Sequence, residues 1–175
     1  MQEFSKQMKE GGEESLTTIS LAISILAVLV AMVTVLGHRT HTEAVLMQSR
    51  ANDQWSLYQA KKIRQDNLLV VIDEMSLMPT TDAKATAAKL AEYKAHIAKW
   101  DEDLKEEQKT ADEFEAEVKR AEIKAVRFDL GEALLQISVV LSSITLFTRR
   151  RSFFFGGLAL GLVGVVIAAS AWLVR

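Results

Sequence analysis

The sequence predicts an all-α integral membrane protein: three transmembrane helices, with a long extramembrane antiparallel helical hairpin of coiled-coil character after the first. Three observations predict it. Residues 17–37 and 152–174 contain no Asp, Glu, Lys or Arg. Residues 38–129 are dense in charge and carry a seven-residue apolar repeat. Apolar residues make up 49% of the chain and charged residues 25%, and because the two classes lie in separate blocks the averages describe no part of it.

Residues 1–16 read as a polar tail that includes Glu3, Glu10, Glu13 and Glu14. The apolar run at 17–37 ends in Gly37-His38-Arg39 without a small-residue cleavage pattern, so it reads as a retained anchor rather than a signal peptide. A helix of that length reaches about 31 Å, which matches a hydrocarbon core of about 30 Å.

The hairpin occupies 38–129. Its turn is predicted near 78–82, where the only proline, Pro79, stands before Thr80-Thr81-Asp82, with Thr81 or Asp82 available as an N-cap. This gives one helix over 41–77, able to continue from the first span, and a second over 82–128. In the second, Ala83, Leu90, Ile97, Leu104, Ala111, Val118 and Ala125 recur at sevens. Thr86, Tyr93, Trp100, Glu107, Phe114, Ala121 and Phe128 form the companion row, in which only Thr86 and Glu107 are not apolar. Sustained over more than four heptads, this is a coiled-coil seam. Asp101 with Lys105 and Glu115 with Lys119 are predicted as supporting i,i+4 pairs. In the first helix Ala51, Trp55, Tyr58, Leu69 and Ile72 share a face that Lys62 and Gln65 interrupt. The run 68–72 is apolar all round and calls for cover beyond its own hairpin. A two-helix hairpin has little core, so the expectation is a homo-oligomer.

Residues 130–148 form the second span, with Glu132, Gln136, Ser138, Ser142, Ser143 and Thr145 inside it. The basic loop 149–151, three arginines, makes the second and third spans an antiparallel pair, and the third span runs over 152–175. Backbone in lipid must bond internally, so all three spans are predicted helical. Small residues recur at helical spacing: Ser20, Ser24, Ala27 and Ala31 in the first span, Ser138, Ser142 and Thr145 in the second, and Gly157, Gly161, Gly164 and Ala168 in the third. Such faces let helices approach closely, within one chain or between chains.

Net charge is −2 and there is no cysteine. The first feature argues against a nucleic-acid partner, and the second excludes disulfides and thiolate chemistry. No phosphate loop, nucleophile elbow or H-E-x-x-H motif is present, so neither an enzyme nor a cofactor is expected. Among candidate sites, Glu132, Gln136 and Ser143 lie on a similar face of the second span. They line a polar path, or Glu132 sits at headgroup depth beside Asp129. His38 and His41, with Glu43, have ligand-like spacing but no further partner, so no metal is expected. His96 stands alone on a charged helix and is expected in solvent. Asn52, Asp53 and Trp55 either contact a partner or, with Gln54, fix the hairpin's register.

Two strings resemble a bacterial family known as domain of unknown function 4337. One is Ala51-Asn52-Asp53-Gln54-Trp55 followed by Tyr58-Gln59-Ala60-Lys61, and the other is Arg127-Phe128-Asp129-Leu130-Gly131-Glu132-Ala133-Leu134-Leu135-Gln136. Leu141-Ser142-Ser143-Ile144-Thr145-Leu146 and the arginine loop match as well. The resemblance covers nearly all the chain after the tail and implies a bacterial membrane protein with this three-span layout. It assigns no activity and no functional residues.

Membrane lipid is the expected surroundings, in the inner membrane. The arginine loop, held in the cytoplasm, places the hairpin in the periplasm, although Arg39, Lys124 and Arg127 at the hairpin's base pull the other way. Two functions follow. One is a homo-oligomeric scaffold or interaction protein that works through its hairpin, with a possible protein partner. The other is an oligomeric ion channel or transport component lined by polar faces of the spans; three spans cannot enclose a pore alone, so it needs a ring.

Overall fold

A computed structural model describes residues 2–174, with side chains from Leu16 to Val174. It is all-helical: α1 (Gln2–Leu77), α2 (Ala83–Thr148) and α3 (Arg151–Ser170), closed by a short 3-10 turn (Ala171–Leu173). There is no strand among the described residues. The anchor run, the hairpin's first strut and most of the tail are thus one unbroken helix, because neither a proline nor a capping sequence interrupts residues 2–77. Arg175, which would close the third apolar block, lies outside the described residues. Each of the three helices contains a stretch long and apolar enough to cross a membrane.

The helix ends have local causes. The turn at 78–82 falls at Pro79, and Asp82 caps α2 through Oδ1, which accepts the backbone N–H of Lys84 and Ala85 at 3.0 Å each. The link from α2 to α3 is short. Arg149 takes a left-handed φ of 56° to end α2, with its N–H on the Thr145 carbonyl at 2.8 Å.

Two units divide the chain. The first comprises residues up to Glu43 together with those from Arg120 onward. Its core joins Leu26 and Val33 of α1, Phe128 and Leu135 of α2, and Ala168 and Ala171 at the end of α3. The α2–α3 contact is close: a Cβ built on Gly131 would lie 2.8 Å from the Gly164 carbonyl oxygen, and one on Gly164 would lie 2.9 Å from the Gly131 oxygen. No L side chain fits there without backbone movement. Gly157, Gly161, Gly164 and Ala168 all turn inward onto α2, whose Gly131, Leu135, Ser138, Ser142 and Thr145 are buried at alternating three and four spacing. The glycine face therefore packs within one chain. The small-residue row of α1 does not. Ser20, Ser24, Ala27 and Ala31 are exposed, and the core is met by Ile19, Leu26 and Val33 instead. At that position a helix can bury bulk, because Gly161 opposite leaves room for Leu26.

The second unit spans Ala44–Lys119. Here α1 and α2 run antiparallel and bond across to one another, and none of the heptad positions from Thr86 to Val118 in α2 is exposed. In α1, Ala51, Gln65 and Ile72 are buried, with Tyr58, Lys61, Leu68 and Met75 part-buried between and beyond them. This corrects the reading that Gln65 breaks the face: Gln65 is part of it, 1% exposed. Leu69, assigned to that face from spacing, points away from it and is exposed.

Candidate functional site

Three groups of polar or uncovered side chains stand out against these helices. The first is a set of polar layers in the hairpin. Glu107, which breaks the apolar row of α2, accepts from Lys61 and from the Gln54 amide. Gln65 donates its amide to Asp101, and the Trp55 indole N–H donates to Glu115 Oε1 at 2.7 Å. The last two contacts replace the expected pairs Asp101–Lys105 and Glu115–Lys119, because each acid finds a donor across the hairpin that is less solvated than a lysine on its own exposed face. The hydrogen bond from Lys61 holds the Glu107 carboxyl below the usual carboxylate range. Burial opposes the shift, and the lysine charge and the Gln54 amide add to it. A polar side chain in a seam is satisfied in one alignment only, so these layers fix the register of α1 on α2. The sequence places that role on Asn52, Asp53, Gln54 and Trp55, of which Gln54 bonds across the hairpin to Glu107. Asn52 and Asp53 are exposed, and the Asn52 side chain accepts from Gln48 on its own helix at 3.1 Å. Trp55 does reach across, with Tyr58 edge-on to its ring at 5.5 Å. The missed residues, Lys61 and Gln65, had a signal: they fall at three and four spacing from Tyr58, Leu68 and Ile72 once the apolar requirement is dropped.

The second group lies in and beside the apolar segments. Gln136 Nε2 donates to Glu132 Oε1 at 2.9 Å, one turn apart on the same helix. Gln136 is exposed, Glu132 part-buried, and the Ser143 hydroxyl turns back to the Val139 carbonyl at 2.8 Å. Glu132 and Gln136 thus lie beside one another, and the Ser143 hydroxyl is spent on its own helix. Ser138, by contrast, is buried and donates to the Gly157 carbonyl oxygen at 2.7 Å, joining α2 to α3. Ser142 and Thr145 are buried on the same face with hydroxyls that meet no hydrogen-bond partner. Just outside, His41 Nε2 lies 3.0 Å from both carboxylate oxygens of Asp129, and Arg127 donates to the Ser170 carbonyl at 2.6 Å, tying down the end of α3. His38 is exposed, as is His96, whose ring lies 5.9 Å from that of Trp100. Among the described residues no three potential ligands gather into a metal site.

The third group is apolar. On the outer side of α1, Ile63 is 60% exposed, Val70 56% and Leu77 85%, with Met78 beside them in the turn. They recur at sevens, on the side of the helix opposite Gln65 and Ile72. The run at 68–72 is therefore split: Leu68 and Ile72 face α2, and Leu69, Val70 and Val71 are left uncovered.

Comparison with known proteins adds a family and nothing narrower. The model for a domain of unknown function, DUF4337, matches residues 15–174. That is nearly the whole chain, and the protein belongs to this family. No curated protein and no solved structure matches it.

Proposed function

We propose that this DUF4337 protein is a membrane-anchored scaffold that self-associates through its hairpin. In this reading the three apolar helical segments insert in a bacterial inner membrane and the paired struts form an antiparallel coiled coil. The observation that carries it is the uncovered row Ile63, Val70 and Leu77, set in a region that is otherwise charged and solvated. Large apolar side chains at regular spacing on a soluble helix mark a surface that another surface covers. The polar layers support the same reading, since they hold the row in one alignment. The test is the subunit count of the full-length protein, by native mass spectrometry from mild detergent. An oligomer that Val70→Asp converts to monomer is expected, and a monomeric wild type refutes the proposal. The arginine loop supports a cytoplasmic link and a periplasmic hairpin. Thr81→Cys in this cysteine-free chain tests that side: labelling by an impermeant maleimide in intact spheroplasts is expected, and labelling only after lysis reverses the assignment.

A second reading, an oligomeric channel or transport component, draws on Glu132 and Gln136, a polar pair on one side of an apolar helix segment. Only a ring of chains would turn such pairs toward a shared path. A Glu132→Gln change that leaves cation flux through reconstituted oligomers untouched removes this reading.

A further inference from the structure

We infer that the chains join head to tail, the outer ridge of α1 in one copy seating on the outer alanine face of α2 in the next, so that the hairpins close into a ring. This rests on the self-association proposed above and specifies its geometry.

The ridge is Ile63, Val70 and Leu77, all exposed. At about 100° per residue it lies roughly opposite the Gln65–Ile72 face that meets α2. The complementary surface is on the other strut. Ala88, Ala91, Ala95 and Ala98 are all exposed and alternate at three and four spacing, roughly opposite the Leu90–Ile97 seam. The hairpin is therefore a two-helix plank with bulky side chains along one edge and methyl groups along the other. Bulk against small is the pairing that lets helices interdigitate.

The two edges also match in height. Gln65 bridges to Asp101, and in an antiparallel pair this sets Val70 level with about residue 96 and Leu77 level with about residue 89. Val70 and Leu77 therefore stand level with the alanine face, and Ile63, level with about residue 103, lies beyond Ala98. Identical copies related by an axis along the membrane normal hold equivalent residues at equal heights, so the edges can meet without a shift along the axis.

Charge at the flanks selects this occupant over others. Asp73 borders the ridge and stands level, within a residue, with Lys94 beside the alanine face, while Asp66 is already paired with Lys62 at 3.0 Å. Glu74 stands level with Glu92, whose carboxylate Lys89 already holds at 2.8 Å. The alternative, ridge on ridge across a twofold axis, would set Glu74 against Glu74, like charge against like. A contact between two different edges leaves one of each unused at the ends of any open string, and only closure satisfies them all.

The absence of cysteine makes the test direct. Full-length Val70→Cys, Ala95→Cys and the double variant are reconstituted in lipid and treated with a short bismaleimide. Both positions are exposed, so neither change disturbs the fold. The double variant is expected to give a ladder that stops at one closed product with loss of the monomer band. Each single variant alone should stay monomeric on a denaturing gel, and the two mixed should give dimers only. Dimers from Val70→Cys alone overturn the inference in favour of ridge-on-ridge pairing. No cross-link in a protein whose native mass shows an oligomer overturns it and leaves self-association standing. A monomeric native mass overturns both.

Discussion

Adding one methyl group to Gly131 should be far more damaging than adding it to Gly156, although both are helical glycines in apolar segments. At Gly131 the new Cβ would lie 2.8 Å from the Gly164 carbonyl oxygen, 2.8 Å from the Ala168 Cβ and 3.0 Å from the Ala168 backbone nitrogen. Two of these three atoms are backbone, so no rotamer change relieves them and α2 must move away from α3. Overpacking of this kind costs about 1–3 kcal/mol. The retreat also stretches the Ser138 hydrogen bond to Gly157, now 2.7 Å, two turns along the same interface. At Gly156 nothing lies within 4 Å, and the substitution gains the helix preference of alanine over glycine, about 1 kcal/mol. The two variants should therefore differ by about 2–4 kcal/mol with opposite signs relative to wild type. Equilibrium unfolding in mixed micelles of increasing denaturing-detergent fraction, followed by helicity, measures the difference. If Gly131→Ala unfolds with or after Gly156→Ala, the close approach of α2 and α3 is wrong.

Three further outcomes are expected. Ser138→Ala loses a bond between helices and should cost roughly 0.5–1.5 kcal/mol, whereas Ser142→Ala removes a buried hydroxyl that has no partner and should be neutral or stabilising in the same assay. Because the Glu107 carboxyl is depressed in the folded hairpin, its contribution to stability is present above the ordinary value of about 4.3 and is lost as pH falls below it. Denaturant midpoints should drop between about pH 5 and 3 in wild type, and Glu107→Gln should flatten that drop; an unchanged profile counts against the Lys61 contact. Gln65→Leu removes a bond across the hairpin to Asp101, which is exposed and keeps its water, so stability should change little or rise while register loosens, seen as extra spin-label distances between the exposed positions 59 and 108.

The helices and their turn were legible because their signals are local and strong. Twenty-one uncharged residues, a heptad carried by large apolar side chains, and Pro79 before Asp82 each admit few alternatives. The glycine row of α3 was also visible, since no other residue allows backbones so close. What failed was the inward face of α1. Apolar spacing alone makes Gln65 an interruption and gives Lys61 no place on that face, because a lone buried amide or ammonium is costly. Their cost is offset by Glu107 and Asp101, acids distant in sequence that a one-helix reading does not connect to them. The stripe of Ser20, Ser24, Ala27 and Ala31 meets no helix of its own chain. Its hydroxyls at Ser20 and Ser24 bond to carbonyls one turn back. Which partner a helix meets is set by the other helices, and spacing within one helix reports only that a face exists.

One feature of α2 constrains how this family can vary. Its inward positions alternate at three and four from Leu104 through Val118 and Ala125 to Phe128 and, after one repeated step of three to Gly131, alternate again through Leu135 to Ser142. One inserted residue would turn every later side chain by about 100°, while seven would turn them by only about 20°. Lengthening the hairpin by a heptad also requires a matching heptad in α1, or the polar layers lose their partners. Relatives of different length should therefore differ in sevens on both struts together, or in single residues only at the turn after Leu77, the one place in the hairpin where length carries no phase.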